Sequence, residues 1–165
     1  MRADAVRYFL LFHFGGVYSD LDMECLRPLD PLLAGKRLVL GEEPPSHAQE
    51  ADVRARSLTR IVGNAIMASE PGHPFWEHVI RQLVACHAET GAMDGTGPFM
   101  LTRAYESYAD REAIALEAAG TGCPFVRKSD PGEVVLAVLR RAVAGSAGSA
   151  TAAAAGPGTG AERAR

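Results

Sequence analysis

Two adjacent glycines, Gly15-Gly16, stand between an apolar run and a pair of aspartates, and no other junction in the chain constrains the fold as much. From Ala5 to Phe14 almost every side chain is apolar or aromatic, which predicts a helix over residues 3–14 that is buried on most of its sides. Asp4 and Arg7 are the exceptions, and their i, i+3 spacing puts both on one helical face. Glycine tolerates the left-handed backbone that closes a helix, so the pair ends it. Val17-Tyr18-Ser19 then reads as a short strand running into Asp20 and Asp22. On an extended segment, residues two apart point the same way, so both carboxylates can reach one cation. Oxygen-only ligands suit a hard divalent ion, Mn²⁺ or Mg²⁺, which keeps positions open for phosphate oxygens.

Other acidic loops compete for these residues. An EF-hand loop needs a glycine six positions in and a distal glutamate. Cys25 stands where that glycine belongs, so this reading fails. A phosphatase of the haloacid-dehalogenase type places its aspartates after a long apolar strand and usually before Gly-Thr. Here two glycines precede a short strand, and Met23-Glu24 follows. A bare pair of aspartates also arises in solvated turns, and Asp4 with Arg7 alone is an ordinary helix-start ion pair. Tyr18 alone is more often a core residue than a ligand. Context decides between these readings.

Along the rest of the chain, Leu26 to Leu33 reads as an irregular connection with a short turn at Pro31-Leu32-Leu33. Leu38-Val39-Leu40 and Ile61 to Met67 are strand candidates, separated by a polar loop from Glu42 to about Arg56. His73 leads into a helix that Pro74 opens, with Phe75, Trp76, Val79, Ile80, Leu83 and Val84 at the helical period and Trp76 in the core. Gly95-Thr96-Gly97-Pro98 is a tight loop, and Leu101 to Tyr108 opens a further helix. Asp130-Pro131-Gly132-Glu133 has capping-box spacing ahead of an apolar helix over Val134 to Val143. Of the last 24 residues, 10 are alanine and 5 glycine, so a disordered tail is expected there.

With 165 residues, 47% of them hydrophobic and 22% charged, the chain has the composition of one soluble globular domain. A net charge of -3 without a basic stripe argues against nucleic acid as a partner. No stretch approaches the ~20 apolar residues of a membrane span, and the N-terminal run lacks a signal-peptide pattern because Arg7 lies inside it. Cys25, Cys86 and Cys123 form no zinc spacing and are expected as buried free thiols.

The segment from Ala3 to Asp22 resembles the DXD-containing sugar-transferase family. That family includes fungal initiation-specific and inositol-phosphorylceramide mannosyltransferases, bacterial capsule transferases and, more distantly, the clostridial glucosylating toxins. The similarity continues through Leu26 to Leu33, Asn64 to Ser69 and Pro71 to Trp76, ends near Thr96 to Thr102, and so covers roughly residues 2–105. It implies a GT-A fold, a Rossmann-like α/β nucleotide-sugar-binding architecture, and retaining transfer of a sugar, mannose first. The implied donor is a nucleotide-diphosphate sugar (GDP-mannose or a UDP-hexose), and the acceptor a glycan or glycolipid. On the family pattern Asp22 ligates Mn²⁺ or Mg²⁺ and Asp20 lies near the ribose and the metal. Asp4 would bond donor-sugar hydroxyls, Arg7 would contact the sugar or diphosphate and stabilise leaving-group charge, and Tyr18 would shape the donor pocket. Asn64 and the Gly97-Pro98 loop would lie beside the acceptor or donor sugar.

Three departures accompany the resemblance. Family members carry a βαβ portion ahead of this helix and a late segment with His and a Ser-Trp pair, neither matched here, and Ser19 replaces a common apolar residue. The expectation is therefore a GT-A domain truncated at its N-terminus over residues 1–128, a helix over 129–145 and a tail over 146–165. The competing expectation is a non-catalytic remnant or sugar-nucleotide-binding module. Membrane association through sequence not present, at the Golgi in a eukaryote, stands beside a cytoplasmic place in a bacterium.

Overall fold

The computed structural model describes residues 2–118 and 125–127. The expected helix over 129–145, the tail over 146–165 and Cys123 lie outside the described residues. In chain order the elements are α1 (Arg2–Phe14), β1 (Gly16–Ser19), β2 (Met23–Cys25), α2 (Asp30–Leu33), β3 (Leu38–Glu42), a 3₁₀ turn (His47–Gln49), α3 (Ala51–Ala55), β4 (Val62–Ser69), α4 (Pro74–Ala85), α5 (Ala92–Gly95), α6 (Pro98–Ser107), a second 3₁₀ turn (Arg111–Ala113), β5 (Ala115–Ala118) and β6 (Phe125–Arg127). The architecture is mixed α/β, as expected of a GT-A-like fragment.

The main sheet has the order β1-β4-β3-β5. β4 lies antiparallel to both β1 and β3, and β5 joins β3 in parallel. β4 is buried almost throughout because it has a strand on each side and helices packed against it. Tyr18 and Leu40 flank Met67 from opposite neighbours, which sets the register at the middle of the sheet. A small second sheet pairs β2 with β6, Met23 opposite Arg127.

One apolar cluster joins Tyr8 and Leu11 of α1, Leu38, Leu40 and Met67 of the sheet, Phe75 and Trp76 of α4, and Met100 and Leu101 of α6. Tyr8 stacks on Trp76 at 5.9 Å between centroids, and Trp76 Nε1 donates to Ser69 Oγ at 2.8 Å. The helix starts follow local chemistry. His73 caps α4 by accepting the Phe75 amide on Nδ1 at 3.2 Å, with Pro74 in the first turn.

Gly15 closes α1 in the left-handed region at φ +64°, its amide donating to Leu11 O at 2.9 Å. A Cβ at Gly15 would stand 2.6 Å from Pro71 N and 2.7 Å from Ser69 O. Glycine is required there twice over, for backbone angle and for space.

Several expectations are corrected. α1 buries only Arg7, Tyr8 and Leu11, while Val6, Phe9, Leu10 and Phe14 are exposed by 45–69%, because the helix packs on the fold along one stripe. The polar stretch after β3 is not a plain loop but folds into the first 3₁₀ turn and α3, with Val53 buried beneath. α6 begins at Pro98, not Leu101. β2, β5 and β6 carry no strand pattern strong enough to be expected, since short strands gain their definition from their partners. Cys25 is exposed, not buried, with its thiol directed to Arg27 O, and Cys86 is half-buried. Val84, placed on the apolar face of α4, is 68% exposed. Among the described residues no helix is long and apolar enough to cross a membrane.

Candidate functional site

The i, i+3, i+4 geometry of α1 sets Asp4, Arg7 and Tyr8 on one face of the helix, and the reversal at Gly15 brings β1 back alongside. Arg7, with 7% of its surface exposed, is the centre of the arrangement. Its Nη1 donates to Asp20 Oδ1 at 3.0 Å and to Asn64 O at 2.7 Å, and its Nη2 lies 2.9 Å from Asp4 Oδ1. The guanidinium also sits 4.6 Å above the Tyr18 ring centroid. Its Nε is buried and finds no acceptor among the described residues.

Tyr18 donates from its hydroxyl to Asp20 Oδ1 at 2.6 Å, so this one oxygen receives both the phenol and the guanidinium. Burial first, and then the bond to the Asp20 carboxylate, push the Tyr18 phenol up to about 12. Asn64 Nδ2 bridges Asp4 Oδ1 and the Tyr8 hydroxyl, 3.2 Å to each. Thr96 Oγ1 donates to Asp4 Oδ2 at 3.2 Å, and the Tyr8 hydroxyl donates to Thr96 O at 2.9 Å. Burial drives the Tyr8 phenol well above its ordinary range. The network thus clamps α1, the end of β1, β4 and the loop before α6 around one buried cation.

The acidic pair itself differs from expectation. β1 ends at Ser19, the Asp20 amide still donates to Ala65 O at 2.8 Å, and then the chain turns, with the Met23 amide donating to Asp20 O at 3.1 Å. Asp20 and Asp22 therefore lie at a strand-to-turn junction rather than on one extended segment. Asp20 is half-buried and Asp22 exposed.

A cavity of about 360 Å³ opens beside the network, a size suited to a small ligand. Asp4, Arg7, Asp20, Asn64, Gly97 and Pro98 line it, so six of the residues singled out from sequence meet here. Asp22 and Tyr18 lie outside the lining. Gly97 is held close, its amide donating to Ala92 O at 2.7 Å, where a Cβ would stand 2.8 Å from the same oxygen.

The cavity also holds residues that sequence reasoning passed over: Glu43, His47, Glu50 and Asp52, all within the segment expected as a polar loop. The density of acidic residues from Glu42 to Asp52 was the available signal, but nothing local ties that segment to Arg7.

The donor set accommodates a divalent ion only in part. Among the described residues no three of His, Cys, Asp and Glu converge as a protein-only metal site requires. Two neighbouring carboxylates fit an ion that takes the rest of its shell from water and phosphate, the usual habit of Mg²⁺.

The sequence model described as the glycosyltransferase sugar-binding region containing a DXD motif matches residues 1–39. The chain is 36% identical over 114 residues to a mannosyl phosphorylinositol ceramide synthase of Saccharomyces cerevisiae, covering 65% of this chain and 25% of that protein. It is 39% identical over 82 residues to inositol phosphoceramide mannosyltransferase 3 of Schizosaccharomyces pombe, covering 50% of this chain and 19% of that one. With the initiation-specific alpha-1,6-mannosyltransferase of Candida albicans the identity is 30% over 96 residues, 52% of this chain and 23% of the relative. The chain spans about a quarter or less of the length of these relatives.

Proposed function

This chain belongs to the DXD-containing sugar-transferase family, and from that premise we propose that its Arg7 network and acidic turn bind a nucleotide-diphosphate sugar for transfer to a glycan or glycolipid. The observation that carries the reading is Arg7 itself, buried beside a cavity, paired to Asp4 and Asp20, with Nε lacking an acceptor. A ligand phosphate in the cavity that Arg7 lines would add a negative partner for the guanidinium. Arg7 then stabilises negative charge on the leaving diphosphate, and Asp4 and Asn64 orient sugar hydroxyls. Tyr18 holds Asp20 in place through its 2.6 Å bond.

Asp22, with Asp20, would hold Mn²⁺ or Mg²⁺, whose contribution is Lewis-acid neutralisation of phosphate charge. Two carboxylates, Asp4 and Asp20, share one guanidinium here, and Asp22 adds a further negative charge two residues along the turn, which favours a cation. The relatives' names support mannose as the sugar and an inositol phosphoceramide-type glycolipid as acceptor, with GDP-mannose the first donor to try and a UDP-hexose the second. Retention of configuration belongs to the same proposal.

Asp22→Asn keeps size and shape, so it should abolish Mn²⁺-dependent binding of GDP-mannose with the far-UV circular dichroism unaltered. Equal affinity of wild type and variant, in calorimetry with and without Mn²⁺, would sink the reading. Sugar transfer by the purified chain separates an enzyme from a binding module.

A further inference from the structure

Between β3 and β4 the chain makes a loop whose two ends are joined. The Glu43 amide donates to Ile61 O at 2.9 Å, and Glu43 Oε1 lies against Gly63, where a Cβ would stand 2.7 Å from it. Among the described residues, the backbone–backbone hydrogen bonds of residues 44–58 close within the segment. The His47 amide donates to Pro44 O, Arg54 to Glu50 O and Ser57 to Arg54 O. Val53 and Leu58 bury against Ile61 and Phe99 in a small cluster apart from the main core. A segment with its own hydrogen bonds and its own apolar cluster can open as one unit, at a lower cost than global unfolding.

The far end of the segment is fastened by charge. Arg56 Nε donates to both Asp94 carboxylate oxygens, at 3.0 and 2.9 Å, and its Nη2 lies 2.7 Å from Oδ2. The same guanidinium covers the Phe99 ring at 4.9 Å. Asp94 belongs to α5, and Arg103 of α6 holds it in turn from 3.0 Å. The cavity lies between the parts so joined. His47, Glu50, Asp52 and Val53 line it from the segment, and Ala92 and Met93 from α5.

We propose that residues 44–58 are a strap over the cavity that opens as a unit, with the Arg56–Asp94 pair as its latch, and that ligands pass in and out when the latch releases. Only the identity of the ligand rests on the sugar-transferase reading.

Hydrogen-exchange mass spectrometry of the whole chain, without ligand, tests the latch. In wild type the amides of residues 47–58 should exchange together and before those of β4 and α4. Arg56→Gln should speed them about ten-fold, the loss of a bidentate ion pair and a ring contact, and leave β4 and α4 unaltered. Salt near 1 M should act on wild type in the same direction, because the Arg56 and Asp94 side chains are 35% and 19% exposed and therefore screened. Arg103→Gln, which takes the other partner from Asp94 but keeps the latch, should not. Asp94→Asn decides the matter if Arg56→Gln fails to fold. Exchange of residues 47–58 in one event with β4, or a latch variant that alters nothing or speeds the whole chain evenly, overturns the proposal.

Stopped-flow binding of GDP-mannose with Mn²⁺ gives a second readout. Arg56→Gln should associate faster as well as dissociate faster, whereas a merely damaged site gains nothing in association. Unaltered or slower association overturns the gating role. If wild type binds no GDP-mannose, the transferase reading falls, and the exchange pattern alone decides on the strap.

Discussion

Arg7 Nη1 lies 3.0 Å from Asp20 Oδ1, which ties the middle of α1 to the residue where β1 gives way to the acidic turn. The same nitrogen donates to Asn64 O on β4, so one side chain joins three elements. Burying a guanidinium is costly, and its carboxylate partners offset that cost only while all are present.

Arg7→Met should therefore destabilise the chain by about 3 kcal/mol or more, because it leaves Asp4 and Asp20 without their counter-ion. Arg7→Lys should fall between, since one ammonium cannot reach all three acceptors. Urea denaturation measures both. A loss below about 1 kcal/mol in the Met variant would mean that the cluster behaves as a surface ion pair.

The two glycines should respond differently to alanine. Gly16 has φ +89° and open space, so Gly16→Ala should cost about 1–2 kcal/mol from backbone strain alone. Gly15→Ala adds a collision with Pro71 N and Ser69 O, and should lower the thermal midpoint well beyond the Gly16 variant. Similar midpoints would show that α1 is free to shift against the turn before α4.

Acid sensitivity should centre on His73. Burial, and then the nearby positive Arg37, hold its imidazole below the ordinary 6.5, and the neutral ring is what accepts the Phe75 amide. The unfolded chain takes up the proton first, so this stabilisation is complete above pH 6.5 and fades as pH falls through the lowered folded value. His73→Asn retains a capping side chain and should flatten the stability profile below pH 6.5. A profile as steep as wild type would place the titrating group elsewhere.

What the sequence legibly encoded was local. The helical face carrying Asp4 and Arg7, its stop at Gly15, the strand after it, the proline opening α4, and the buried run of β4 all follow from backbone preferences within a few residues. Reading the acidic pair as extended failed because the strand's end depends on its partner, and β4 pairs with β1 only as far as Ser19 opposite Ile66.

The resemblance, too, rested on short segments; of the residues it singled out, the structure gathers Asp4, Arg7, Asp20, Asn64, Gly97 and Pro98 on one cavity and leaves Tyr18 and Asp22 outside its lining. Glu43 and His47 carried no such mark. Their segment reads as polar loop wherever it packs.

The sequence by itself thus determined which residue types stand where along α1, β1 and β4. Only the tertiary structure decided that α1 buries one stripe and not its whole surface, that Asp4 meets Thr96 across 92 positions of chain, and that Glu43 fits against Gly63. The physical reason is range: helix period and glycine conformation act over one turn, whereas these contacts exist only once the order β1-β4-β3-β5 has been assembled.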